Sequence, residues 1–90
     1  MKEHRQKLSD IDPVDFDFSP MLVGNVTAVA VTVPTGVTEV SAQRVISGQT
    51  VQCRFDVHSA TVGNSYIVRV QGVTANLDEH TLDVLLVIET

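Results

Sequence analysis

The sequence predicts an all-β protein, a small antiparallel β-sandwich. Three observations carry this. Seventeen of the ninety residues are Val and nine are Thr, and β-branched side chains pack well on a pleated sheet while losing rotamer freedom in a helix. Apolar and polar residues alternate with a period of two over several stretches. Turn residues recur every 8 to 12 residues or so, the rhythm of an antiparallel sandwich.

The elements follow in order. Residues 1–20 are polar, charged and broken by Pro13 and Pro20, so they read as an extended arm; residues 21–90 read as the sandwich domain. Residues 25–33 (NVTAVAVTV) form a strand closed by Pro34-Thr35-Gly36. Residues 37–40 and 43–46 are two short strands. A helix starting at Glu39 is disfavoured by the Val, Ser, Thr and Gly around it. Residues 50–58 (TVQCRFDVH) alternate strictly, with Val51, Cys53, Phe55 and Val57 on one face. Residues 65–74 place Tyr66, Val68 and Val70 on a shared face. Residues 79–88 do the same with His80, Leu82, Val84, Leu86 and Ile88, and Asn76-Leu77-Asp78 joins the last two strands as a hairpin. Six or seven short strands of this kind point to an immunoglobulin-like β-sandwich of about 70 residues. A small barrel is the alternative.

Charge and cysteine content narrow the function. A formal net charge of −5 disfavours nucleic acid, whose phosphates call for clustered Lys and Arg. The single Cys53 permits no internal disulfide and no Cys-rich zinc site. MKEHRQK is basic, but no apolar run follows it as in a signal peptide, and no stretch is long and apolar enough for a membrane helix. The expectation is a chain made in a reducing cytoplasm.

Little here builds an active site. His4, His58 and His80 lack metal-ligand spacing. Cys53 lies in phase with Val51 and Phe55 and reads as a small buried hydrophobe, not a nucleophile. Asp10, Asp12, Asp15 and Asp17 alternate like calcium ligands, but Pro13 interrupts them, and no turn Gly or distal Glu completes a loop. We therefore expect no enzyme, cofactor, metal or small-molecule substrate. Tyr66 opens the penultimate strand just after a Gly-Asn turn, where its hydroxyl can bond back to nearby backbone and lock the corner; the alternative is an exposed contact residue.

The clearest functional signal is DIDPVDFDFSPML, residues 10–22. Ile11, Val14, Phe16 and Phe18 alternate with acids in a proline-stiffened segment. Two readings stand. The segment docks on a partner, its apolar side chains acting as anchors and Asp15 and Asp17 setting register. Or it folds back as the first edge strand. On the docking reading, deleting residues 1–20 abolishes partner binding and leaves the sandwich folded. The 25–33 strand carries no charge, so Val29 and Val31 are further contact candidates.

The opening DPVDFDFSPML, the strand VTAVAVTVPTGVT, the turn and strand SGQTVQCRFDV and the block GNSYIVRVQGVTANLDEHTLDVLLVIET together resemble the small virion proteins of tailed bacteriophages known as fiber–tail adaptor proteins. Matching positions are Asp15, Phe16, Phe18, Gly63, Tyr66, Val68, Thr74 and Asp78. Where such proteins often carry a Gly-rich turn before the Tyr, this chain has HSATVGN. The resemblance implies a non-enzymatic structural role in the virion, linking the tail to fibers or neighbouring tail proteins, with other virion proteins or further copies of the chain as partners and neither nucleic acid nor membrane. Capsid decoration, a head–tail connector accessory and a stand-alone ligand-binding module are the alternatives.

Overall fold

The structure, a computed structural model, describes residues 2–89. In chain order the strands are β1 (Lys2–Lys7), β2 (Pro13–Asp17), β3 (Val26–Thr32), β4 (Thr38–Glu39), β5 (Val45–Ser47), β6 (Thr50–Asp56), β7 (Ser65–Thr74) and β8 (Glu79–Glu89). They form two sheets. The first has the order β1-β8-β7-β3; the second has β2-β6-β4, with β5 also paired to β6. The region near Glu39 makes only a short 3-10 turn, Ser41–Gln43. β1 runs parallel to β8, whereas every other pairing is antiparallel. The first sheet is thus mixed, a correction to a purely antiparallel expectation.

One core draws on both sheets. Alternation on β6 sends Val51, Cys53 and Phe55 inward, with Val57 just beyond the strand. Val68 and Val70 come from β7, and Val84, Leu86 and Ile88 from β8. Residues 14–18 complete it. Val14, Phe16 and Phe18 are each at most 1% exposed, and the Phe16 ring meets Phe55 edge-on, centroids 6.4 Å apart at 75°. Edge-to-face contact sets the positive ring edge against the negative face of the other ring.

This corrects the division into an arm (1–20) and a domain (21–90). Both strands before residue 20 belong to the sheets. The physical reason is that DFDF is a period-two pattern whose apolar half is large enough to fill core volume. β2 pairs with β6 in the register Phe16↔Val51 and Val14↔Cys53, which sets three apolar side chains inward and Asp15 and Asp17 outward.

Phe18 reaches furthest. Its N–H donates to the Gln49 carbonyl at 2.9 Å, and its own carbonyl accepts from Met21 and Leu22. Its ring lies against the backbone of Gly72 on the opposite sheet, where a Cβ would sit 3.2–3.3 Å from three ring carbons. A Cβ at this position would press on a fully buried ring, which would have to give by a few tenths of an ångström.

β1 has a different origin. It carries no large apolar residue and buries only Gln6, whose Nε2 donates to the carbonyls of Asp10 (2.6 Å) and Phe55 (2.8 Å). The Nε2 group thereby satisfies two backbone acceptors that would otherwise be costly to dehydrate, while the Gln6 Oε1 is buried without a partner among the described residues.

Gly72→Ala should destabilise the protein by about 1–3 kcal/mol, overpacking outweighing the gain from a stiffer unfolded chain. Combined with Phe18→Leu, it should cost less than the two single changes summed, as expected of residues in contact. Strict additivity in denaturant titrations would show that the ring and the glycine are not coupled.

Candidate interaction surface

The residues expected to dock do not form one surface. Val14, Phe16 and Phe18 are core, so their reading as partner anchors is corrected: a side chain already excluded from water has nothing further to bury. Ile11 is 36% exposed in the loop before β2, and Asp15 and Asp17 face outward from β2. Val29 and Val31 lie on the other side of the fold. Both point toward the core and are only half-buried, because β3 is an edge strand. Their reading as outward contacts is corrected as well; Thr27, Ala28, Ala30 and Thr32 are the exposed positions.

The acidic segment is instead matched to β1. Lys2 Nζ donates to the Asp15 carbonyl at 3.1 Å. His4 Nε2 lies 3.8 Å from Asp12 Oδ2, too far for a hydrogen bond. Gln6 bonds the Asp10 carbonyl. Alternate residues of β1 thus face Asp15, Asp12 and Asp10 in turn, closing the seam between the sheet edges. Sequence reasoning missed this, since KEHRQK alternates without any apolar residue.

The opposite seam is closed by Arg44. Its guanidinium forks onto the Glu39 carboxylate, Nε to Oε2 at 2.8 Å and Nη2 to Oε1, and reaches the Val29 carbonyl at 3.5 Å. A planar, two-point fit of this kind is specific to Arg. Hydrogen bonding to Glu39 raises the Arg44 pKa further.

The outer face of the first sheet carries an apolar row, exposed at Ile67 and half-buried at Leu85 and Val87. Ile67, 48% exposed, stands directly opposite Leu85, and Val87 lies two residues along β8. Ion pairs border the row: Arg69 forks onto Asp83 at 2.8 and 3.1 Å, and Arg5 lies between Glu3 (3.0 Å) and Glu89 (3.9 Å). The hydrogen bond to Arg69 holds Asp83 below the usual carboxylate range. Between β2 and the first half of β8 is a cavity of about 500 Å³, lined by Lys2, Asp15, Phe16, Asp17, Thr81, Leu82, Asp83 and Val84. Among the described residues, no three His, Cys, Asp or Glu side chains cluster as a metal site would need.

Two residues have structural work. The Thr61 N–H donates to the Tyr66 hydroxyl at 3.0 Å, tying the loop before β7 to the start of that strand. The same bond lowers the Tyr66 pKa, because it favours the phenolate. Gly36 (φ +97°), in the turn after β3, passes close beneath the Tyr66 ring. Cys53 is fully buried. Burial, and then the Glu39 carboxylate, push its thiol up to about 12. Comparison with protein-family models, curated proteins and solved structures gives no match.

In the native protein Cys53 should resist an aromatic disulfide reagent at pH 8 and react once unfolded in guanidinium; prompt native labelling would contradict its burial. A folded-state pKa raised above the unfolded value means stability that is complete below about pH 9 and is lost as pH rises toward about 12. Cys53→Val should therefore flatten the alkaline fall in stability relative to the parent chain.

Proposed function

We propose that this chain is a non-enzymatic structural module of a tailed-phage virion, an adaptor that joins tail proteins through sheet-face contacts. The observation that carries the reading is the Ile67–Leu85–Val87 row with its border of ion pairs. Protein interfaces pair an apolar centre with a polar rim. A face four strands wide, at about 4.8 Å between strands and about 3.3 Å per residue, has an area of several hundred Å², of the order of one side of a standard interface. Its charges are largely paired within the face. Of the eleven acidic residues, Asp10, Asp12, Asp15, Asp17 and Asp56 lie toward the second sheet, so a neighbour meets the row without facing these five.

The fold reading proposed with it is an immunoglobulin-like sandwich. Two features support that. β8, β7 and β3 are ordered as the last, penultimate and third strands of such a domain, with β2 and β6 adjacent in the other sheet. Tyr66 holds the corner before the penultimate strand. On this reading the acidic aromatic opening shared with fiber–tail adaptor proteins builds the core, and the partner contact lies on the sheet face. A host bacterial cytoplasm is the site of synthesis and the virion the site of action.

Leu85→Lys, on the surface, should leave the thermal transition within a few degrees of the parent. The same change should remove a tagged copy from purified particles, read by mass spectrometry against the unmodified tagged chain. Incorporation of Leu85→Lys at the parent level would sink the contact, and absence of the parent chain from particles would sink the virion reading.

A further inference from the structure

We propose that the cavity between β2 and the start of β8 accepts an extended segment of another protein, in which apolar side chains alternate with Lys or Arg. The backbone supplies the first argument. β8 pairs with β7 over residues 79–87, but among the described residues it meets β1 only from Val84 onward. Ile88 turns toward β7: its N–H donates to the Asn64 carbonyl at 3.1 Å, and its carbonyl accepts from Gly63 at 2.9 Å. Backbone groups alternate in direction along a strand, so Leu82, Val84 and Leu86 also turn toward β7, and Thr81 turns the other way. Thr81 therefore presents an N–H and a carbonyl at the cavity with no described strand beside them. Partner segments use such an open edge when they add a strand to a sheet.

Side chains supply the second argument. The floor is apolar, built by Phe16, Leu82 and Val84. The rim is acidic. The Asp17 carboxylate accepts from the Ser19 N–H at 2.9 Å, which favours its ionised form, and Asp15 stands two residues before it on the same face. Lys2 is occupied by the Asp15 carbonyl and Asp83 by Arg69. An added strand alternates its side chains between the cavity and the outer face of the first sheet. A basic residue turned into the cavity follows the course of Lys2, which reaches from β1 to the Asp15 carbonyl, and its stem covers the apolar floor, while the apolar residues between extend the outer face. A second copy of the chain is a poor occupant: its one basic segment, Lys2–Lys7, is already paired with β8. This site meets the Ile67 row only at Asp83 and does not depend on the virion reading, so peptide binding and particle incorporation fail independently.

The test uses the peptides acetyl-Lys-Val-Lys-Val-Lys-amide and acetyl-Glu-Val-Glu-Val-Glu-amide, titrated into the full chain while backbone amide signals are followed by NMR. The Lys peptide should shift Thr81 saturably and the Glu peptide should not. Thr81→Pro removes only the N–H that faces the cavity, at an edge where proline is tolerated, and should weaken binding at least tenfold. Asp17→Asn keeps the Ser19 hydrogen bond and removes the charge; it should weaken binding several-fold at low salt, with the difference fading at high salt. The proposal is overturned by the absence of a saturable shift, by equal binding of the Glu peptide, or by parent-like affinity in both variants. A Thr81 signal that moves with protein concentration alone would identify a second copy as the occupant and overturn it as well.

Discussion

Everything in this molecule depends on Phe18 lying against the bare backbone of Gly72. Phe18 directly follows β2 of the second sheet and Gly72 lies in β7 of the first, so the contact spans the two sheets at that end. Protein interiors are packed as densely as organic crystals, and three carbons of the ring lie 3.2–3.3 Å from where a Cβ would stand, closer than ordinary van der Waals contact. The Phe18 backbone is fixed as tightly as its ring. Gln49 accepts its N–H, Asp17 caps Ser19, and the chain turns at once into Met21 and Leu22. Phe16 and Phe55 then pack behind it, which places all three phenylalanines of the chain in one core.

From this constraint the rest of the arrangement follows. Because β2 belongs to the second sheet and β1 to the first, residues 8–12 must cross between sheet edges. The seam there is closed by polar groups, above all Gln6 with its two backbone acceptors. On the far side Arg44 and Glu39 perform the equivalent task beside β3. Edge strands expose unpaired backbone and invite unwanted pairing. The two polar seams leave one described stretch of β8, around Thr81, open on the side away from β7. The apolar row on the outer face of the first sheet is separate from both seams.

Much of the fold is legible in the sequence because much of it obeys one rule. β7 is found at residues 65–74 as its alternation requires, and β3, β6 and β8 lie within a few residues of their expected bounds. The Tyr66 corner is legible for another reason: a lone Tyr after a Gly-Asn turn has few places to put its hydroxyl. β1 was not legible. Its residues alternate between two polar sets, and what makes it a strand is the vacant edge of β8, a tertiary fact. The DFDF segment was legible as a pattern but not as a place, since alternation fits an edge strand and a docking segment equally well. Val29 and Val31 were misplaced because the orientation of β3 depends on its bulge between Val26 and Ala28 and on its register with β7. The Ile67–Leu85 pair draws on residues 18 positions apart in sequence, and only the β7–β8 register brings it together.

The central claim is that residues 14–18 are core and not an arm. Native-state hydrogen exchange tests it most directly. Phe18 donates its N–H to Gln49 in the turn that leads into β6, and alternation along β2 turns the Phe16 and Val14 N–H groups toward β6 in the same way. All three amides should exchange only through global unfolding, with the same protection as Cys53 and Phe55 at the centre of β6. Exchange of Val14, Phe16 and Phe18 at rates near those of an unstructured peptide, while β6 stays protected, would contradict it.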